Sequence, residues 1–391
     1  MTPSSQYPDM PAGSPGPPLS LYVHLPWCVR RCPYCDFNSH EARRPIPFDA
    51  YVDALTEDLA AEVPGAAGRR LVSVFFGGGT PSLFPAADLE RFLGEADRLV
   101  GLEPGAEITL EANPGTLERG RFRAYAAAGI NRVSLGVQSF HDSLLSAIGR
   151  IHDGRQARVA LDELAAAGMT SFNVDLMYGL PGQTVAQACR DVDMAIAAGA
   201  DHISHYQLTL EPGTPFARRP PPLPDPDTAW EMEAACAARL ADAGFGRYET
   251  SAWSRPGREC VHNLNYWRFG DYIGVGAGAH GKITPGPGRV LRRCKKRRPA
   301  AYLASRDRLE NETESTGADL AFEFMLNALR LSEGFETSLF VARTGLDPVR
   351  LGPALEAGSA SGLLESVGSG WRPTDRGRRF LNDLQALFLP A

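Results

Sequence analysis

Leu21-Tyr22-Val23-His24-Leu25-Pro26-Trp27-Cys28-Val29-Arg30-Arg31-Cys32-Pro33-Tyr34-Cys35 joins a strand-length apolar run to three closely spaced thiols. Three thiolates can hold a cubane four-iron cluster while leaving one iron without a protein ligand, open to a substrate or cofactor. A structural zinc site is the competing reading, with His24 or His40 as the fourth ligand. A disulfide staple is disfavoured, because seven Cys in 391 residues is sparse and odd. Cys189, Cys236, Cys260 and Cys294 are scattered singly and read as buried small apolar residues.

Downstream of this stretch, short apolar runs alternate with amphipathic ones. Residues 21–25, 71–76, 108–111, 132–137, 172–177 and 202–209 read as strands. Residues 51–63, 87–100, 117–127, 155–167 and 185–197 read as the helices between them. Strand and helix in alternation build a parallel sheet with right-handed crossovers. Six units make an α/β fold, either an incomplete (β/α)6 barrel or an open doubly wound sheet. The polar residues favour the barrel: Cys28 follows the first run, Gly77-Gly78-Gly79-Thr80-Pro81 the second, Glu111-Ala112-Asn113-Pro114 the third and Gln138 the fourth, while Asp175 lies in the fifth. Chemistry thus collects at the carboxyl ends of the strands, where such folds build sites from several loops.

With 43% hydrophobic and 22% charged residues and a net charge of −6, the composition is that of a globular protein with a sizeable core and no general affinity for nucleic acid. No apolar run approaches membrane-spanning length. Residues 1–19, rich in Pro, Ser and Gly, read as a disordered leader without the features of a secretory signal, which suggests a cytoplasmic protein. The expected organisation is the leader, a partial barrel over 20–212, a sheet-extending region over 213–314 and a small domain over 315–391. Pro220-Pro221-Pro222-Leu223-Pro224 is a stiff connector, followed by a helix near 225–243 and a strand-like 248–253. Residues 272–296 read as added strands. The helix at 318–331, two shorter helical segments and a ribbon near Gly370 resemble a winged helix. Asp319 and Glu323, with only Arg330 in opposition, leave that helix without a basic recognition face, so no nucleic-acid partner is expected.

A glycine run lets backbone approach a ligand closely and leaves its amides exposed. Glu111, Gln138 and Asp175 would converge on the same volume as acceptors. Singly, each acid reads as a satisfied carboxylate, and only the convergence with an open iron favours function. The Cys-x3-Cys-x2-Cys segment with an aromatic before its last Cys, followed by Gly-Gly-Gly-Thr-Pro after the second strand, resembles the radical S-adenosylmethionine superfamily. The resemblance implies a [4Fe-4S] cluster on Cys28, Cys32 and Cys35, with S-adenosylmethionine chelating the open iron. Matched motif by motif, it implies cofactor contacts at Tyr22, Gly78, Gly79, Thr80, Glu111, Gln138, Arg150 and Asp175.

Within the superfamily the chain is similar to the HemN-like family of oxygen-independent coproporphyrinogen III oxidases and their heme-chaperone relatives. The likeness covers nearly the whole chain after the leader. It rests on residues 21–28, on Leu135-Gly136-Val137-Gln138-Ser139-Phe140 and on Asn173-Val174-Asp175-Leu176-Met177-Tyr178-Gly179-Leu180-Pro181-Gly182. The oxidase's further Cys, two residues beyond the last cluster ligand, is Phe37 here, and His262-Asn263-Leu264-Asn265-Tyr266-Trp267 matches the chaperones' His-Asn-x-x-Tyr-Trp motif. Both favour the chaperone branch: a carrier that hands heme to an acceptor such as a respiratory hemoprotein, without coproporphyrinogen dehydrogenase activity. The dehydrogenase is the alternative.

In that motif His262 would be an axial iron ligand, Tyr266 and Trp267 flat surface for the macrocycle, and Asn263 an orienting partner. A lone His beside aromatics is otherwise a structural residue. Cys260 is a competing thiolate that the spacing does not require. Further partners to consider are a membrane surface and a second copy of the chain. The basic run from Arg289 to Arg298 reads first as a solvated strand edge or loop, and otherwise as a patch for anionic lipid, heme propionates or an acidic partner.

Overall fold

The computed structural model describes residues 16–115, 120–169 and 171–390. Most of the expected leader, and the start of the helix expected over 117–127, lie outside those residues. Strand β1 (Leu19–Leu25) opens the fold, and the segment before it is tied down: Arg69 donates to the Pro17 carbonyl at 2.8 Å and Asp271 N–H to that of Pro18 at 2.9 Å.

Six parallel strands come in spatial order: β1, β2 (Leu71–Gly78), β3 (Leu102–Ala112), β4 (Arg132–Gln138), β5 (Ser171–Tyr178) and β6 (His202–Gln207). They are the six expected from the rhythm. Both faces of such strands are covered, which is why they read as apolar runs without alternation; β4 is buried at every position. The crossovers are α1 (Phe48–Ala66), α2 (Ala86–Leu99), α3 (Phe122–Ala127), α4 (Asp142–Ala147) with α5 (Gly154–Ala166), and α6 (Val185–Ala197). Asp153 and Thr184 start α5 and α6 through reciprocal bonds with Gln156 and Gln187, which satisfy amides that the first turn leaves free.

Helix α7 (Pro226–Asp242) leads to β7 (Gly246–Glu249) and β8 (Ala252–Ser254). The expected single strand over 248–253 is therefore a hairpin, broken between Glu249 and Ala252, and it pairs antiparallel to β6. At the opposite edge β9 (Asp271–Val275) lies parallel to β1 as a seventh parallel strand. Strands β10 (His280–Gly286), β11 (Arg289–Lys295) and β12 (Leu309–Thr316) continue from it antiparallel, so twelve strands run in the order β12-β11-β10-β9-β1-β2-β3-β4-β5-β6-β8-β7.

The basic run comprises β11 together with Lys296, Arg297 and Arg298, and it is not a solvated edge. Strand β11 is flanked by β10 and β12. Lys295 bonds Asp58 at 2.7 Å and Glu62 at 2.5 Å, Arg293 bonds Glu62 at 2.7 Å and Glu312 at 2.6 Å, and Arg292 bonds Glu323 at 2.7 Å. The acids lie on distant stretches of chain, so local charge counting could not pair them. Of the run, Arg297 and Arg298 are exposed, and so is the side chain of Arg289, which pairs with Glu314 at 2.7 Å.

After β12 come α9 (Gly317–Ala328), β13 (Phe335–Glu336), α10 (Thr337–Thr344), α11 (Gly352–Ala360), β14 (Leu364–Val367) and β15 (Gly370–Pro373). This is the element order of a winged helix, with its three strands in one small sheet. Its core of Leu320, Phe324, Met325, Phe335 and Phe340 is continuous with Phe269 and Val290 of the sheet extension. No helix among the described residues is long and apolar enough to cross a membrane.

Candidate functional site

Pro26 follows β1, and Trp27–Cys28 then pairs in parallel with His40–Glu41, so the cysteine loop returns to its own start. Cys28, Cys32 and Cys35 are all half-buried. Burial first, then the charges of Cys35 and Cys32, push the Cys28 thiol up to about 11, against a lowering hydrogen bond from Thr80. The buried guanidinium of Arg150 donates to Cys32 Sγ at 3.7 Å. Asn38 fastens the far end of the loop by donating to the carbonyls of Ala277 at 2.8 Å and Arg297 at 2.9 Å.

His24 is committed elsewhere than to metal. Its Nε2–H donates to the Asn38 carbonyl at 3.0 Å, and its Nδ1 accepts the Tyr22 hydroxyl at 2.9 Å. Among the described residues no group of three or more His, Cys, Asp or Glu side chains is arranged to hold a single metal ion. Three half-buried thiols on one loop, with an arginine against one sulfur and His24 occupied, are a donor set that fits a cluster anchored by three thiolates.

The glycine run does not leave its amides exposed, contrary to expectation. Gly78 N–H donates to Glu111 Oε2 at 3.0 Å, Gly79 N–H to the Leu25 carbonyl at 2.8 Å and Thr80 N–H to that of Trp27 at 2.7 Å. The glycines serve close approach instead. Gly78 has φ +122°, and a Cβ there would meet the His24 ring at 2.7 Å; a Cβ on Gly79 would meet the Trp27 carbonyl at 2.5 Å. The end of β2 can therefore cross directly against the cysteine loop.

From Thr80 a polar chain runs to the thiols. Asn113 donates to Thr80 Oγ1 at 3.1 Å, its own Oδ1 accepts from Arg150, and Arg150 also donates to the Gly136 carbonyl at 2.6 Å. Asn113 has no role that the sequence alone assigns, yet it stands two residues after Glu111 at the end of the same strand. Burial and then the neighbouring Asp175 raise Glu111 to about 7, against the Gly78 amide. Burial likewise raises Asp175, which accepts from Ser134 at 3.1 Å and Asn173 at 2.7 Å. Gln138 sits at φ +68°, a strained backbone for a residue with a side chain, and its Oε1 accepts the Tyr206 hydroxyl at 2.8 Å. Tyr206, outside any recognised motif, gives no signal in the sequence.

The motif helix α8 (Val261–Trp267) starts on Glu107, whose carboxylate accepts the amides of Val261 and His262, each at 3.0 Å. His262 is 1% exposed and stacks on Phe75 with centroids 4.9 Å apart. Its Nδ1 meets Ser73 Oγ at 2.9 Å and its Nε2 meets the Tyr266 hydroxyl at 3.0 Å, so Asn263 is not what orients the ring. Burial lowers this imidazole to about 3. His262 therefore offers no open nitrogen in this conformation. Cys260 is fully buried with its thiol toward Glu107 at 3.4 Å, and burial pushes it up to about 12.

Of the four motif residues singled out, Tyr266 reaches a large cavity of about 490 Å³. It is lined by Tyr22, His24, Gly78 and Glu111, by Asp36, Phe37 and Asn38 of the cysteine loop, and by Tyr266, Tyr272, Gly278, His280, Cys294 and Arg297. The volume suits a drug-sized or cofactor-sized ligand. Trp267 lines a smaller cavity with Phe269 and Lys282 on the other side of Tyr266 and Tyr272, which line both, and the Arg330 guanidinium lies 4.3 Å from its ring centre.

Residues 22–195 match the radical SAM superfamily and residues 316–380 the HemN C-terminal domain. The chain is 47% identical over 373 residues to heme chaperone HemW of Escherichia coli, covering 95% of this chain and 98% of that one. It is 45% identical over 377 residues to heme chaperone HemW of Haemophilus influenzae, again covering 95% and 98%. Among solved structures, coproporphyrinogen III oxidase (HemN) from Escherichia coli superposes with a TM-score of 0.81 at 24% identity, over 96% of this chain and 91% of that one, which establishes a shared fold.

Proposed function

Since the chain belongs to the HemW family of radical S-adenosylmethionine proteins, we propose that it is a heme carrier that binds heme in the cavity beside its cluster loop and passes it to an acceptor protein. The observation that carries this reading is the cavity itself. One continuous space of about 490 Å³ touches Gly78 and Glu111 of the glycine and acid cradle and Tyr266 of the motif helix. The edge-to-face pair Tyr266 and Tyr272, with ring centres 4.4 Å apart, and the 64% exposed Phe37 supply apolar surface, and the Arg297 guanidinium suits a propionate.

Cys28, Cys32 and Cys35 would hold the [4Fe-4S] cluster, and Tyr22, Gly78, Gly79, Thr80, Glu111, Gln138, Arg150 and Asp175 would form the S-adenosylmethionine site. When bound, the pair supplies one-electron chemistry at the cavity wall. Arg150 steadies a thiolate, the glycines admit the ligand close to backbone, and Glu111 offers a carboxylate that holds or releases a proton near neutrality. In the heme set, Tyr266 is the wall, and His262, with both nitrogens bonded, fixes that wall from behind. Asn263 and Trp267 complete the helix that presents it.

Phe37 weighs against coproporphyrinogen dehydrogenation, because an apolar ring stands at the cavity where the oxidase's further Cys would be. The test is a hemin titration of the full chain followed at the Soret band. The expected result is a saturable shift at equimolar hemin. A spectrum that remains that of free hemin at every ratio removes the carrier reading, and an anaerobic assay yielding protoporphyrinogen would favour the enzyme.

A further inference from the structure

Ser134, Asn173 and His202 stand in register on β4, β5 and β6, and Asp175 lies two residues beyond Asn173 on the same face. A backbone group settles which way the Asn173 amide points. The Ser204 N–H can only donate, and it lies 2.9 Å from Asn173 Oδ1. The nitrogen of the amide is therefore the end that donates to Ser134 Oγ and to Asp175 Oδ1, at 2.7 Å each. Ser134 in turn donates to Asp175 Oδ2 at 3.1 Å. His202 Nδ1 is 2.6 Å from Asn173 Oδ1, an acceptor, and so carries its proton. Burial and then the charge of Arg132 hold this imidazole well below its ordinary range, which leaves the ring neutral and Nε2 a bare acceptor. The Tyr248 hydroxyl, 2.9 Å away, must then donate to Nε2, and its oxygen is left to accept the Cys260 N–H at 3.4 Å. Every donor points the same way, from the residue that caps the motif helix to the Asp175 carboxylate.

We propose that His202 is a positioning residue of the S-adenosylmethionine site: with its tautomer fixed by Tyr248, it holds the Asn173 amide so that Asp175 is presented to the cofactor in one orientation. The assignment rests on the reading of Asp175 as a cofactor contact. Ser204 and His202 occupy Asn173 Oδ1, while Ser134 and Asp175 take the amide protons, so the amide has no second orientation. Turned over, it would set N–H against N–H and a carbonyl oxygen against the carboxylate. His202 and Asn173 are each 1% exposed, and an apolar pair would fill the same space without partners to satisfy. What the polar pair adds is direction, delivered to both oxygens of one acid.

The experiment measures equilibrium binding of S-adenosylmethionine to the full chain with its cluster reconstituted, as wild type, His202→Leu, His202→Asn and Tyr248→Phe, each alone and beside Asp175→Ala. His202→Leu should weaken binding roughly tenfold in the wild-type background and add nothing beside Asp175→Ala, because no carboxylate is then left to orient. His202→Asn, whose side-chain nitrogen can stand where Nδ1 stands, should recover most of the loss. The proposal is overturned if His202→Leu binds as tightly as wild type, if it costs as much beside Asp175→Ala as alone, or if His202→Asn binds no better than His202→Leu. Should His202→Leu fail to fold, Tyr248→Phe carries the same test: a several-fold loss that disappears beside Asp175→Ala supports the proposal, and equal losses in the two backgrounds overturn it. An Asp175→Ala protein that binds as tightly as wild type would instead remove Asp175 from the cofactor site, so the two failures are told apart.

Discussion

At the scale of single residues, Glu111 is the side chain whose protonation matters most at neutral pH. Burial and Asp175 raise it to about 7, so the carboxyl is mostly neutral below that pH and mostly ionised above it. S-adenosylmethionine carries a sulfonium cation and prefers the ionised form, so binding below pH 7 must release the proton. Affinity should therefore rise as pH increases from 6 to 8, by roughly tenfold beyond whatever slope Glu111→Gln retains. Equilibrium binding to the cluster-loaded protein checks this, and parallel slopes for the two proteins would contradict it. The placement of the thiols, Glu111, Gln138 and Asp175 around the sheet is legible in the sequence because each stands in or just after an apolar run. Asn113 and Tyr206 are not, because their roles come from partners on other strands. The hydrogen bond that holds His262 is hidden for the same kind of reason: Ser73 is 189 residues away in sequence.

At the scale of elements, the strand and helix rhythm is legible because parallel strands are buried on both faces and amphipathic crossovers on one. Bounds of α6 agree at both ends with expectation, where Thr184 begins the helix with its reciprocal cap. Strand β11 is not legible as an interior strand, since its charge is balanced by acids on α1, β12 and α9. Lys295 is the test of that balance. It is 3% exposed and contacts both Asp58 and Glu62, so Lys295→Met takes the cation from buried Asp58 and leaves Glu62 with Arg293. Breaking such a pair costs about 3–5 kcal/mol, which should appear as a clear fall in the denaturant midpoint. Arg289→Ala, on the same strand but in an exposed pair with Glu314, should leave the midpoint unchanged. Equal effects from the two variants would mean that β11 is held by backbone pairing alone.

At the scale of the whole molecule, the cavity depends on a domain that contributes nothing to its lining. Phe324 of α9 is fully buried, with its ring centre 5.6 Å from Phe269, 5.4 Å from Phe335 and 5.2 Å from Phe340. Phe269 follows the motif helix by two residues, and its carbonyl accepts Lys282 Nζ at 3.1 Å, which also bonds Asp271 at the start of β9. The C-terminal domain is thus packed against the turn that orients Tyr266 and Tyr272 through Phe324 on Phe269, with Arg330 over Trp267 and Glu333 paired to Arg268 beside it. Phe324→Ala removes most of a buried ring and should lower stability by about 3–5 kcal/mol. It should also weaken hemin binding while leaving cluster content intact, because the cysteine loop is anchored through Asn38 and Arg150 at the carboxyl end of the parallel strands. Thermal melting, hemin titration and iron content on one preparation separate these effects. If hemin affinity survives a large loss of stability, the domain supports the fold without shaping the cavity; if iron content falls in step with hemin binding, the two sites are not mechanically separate.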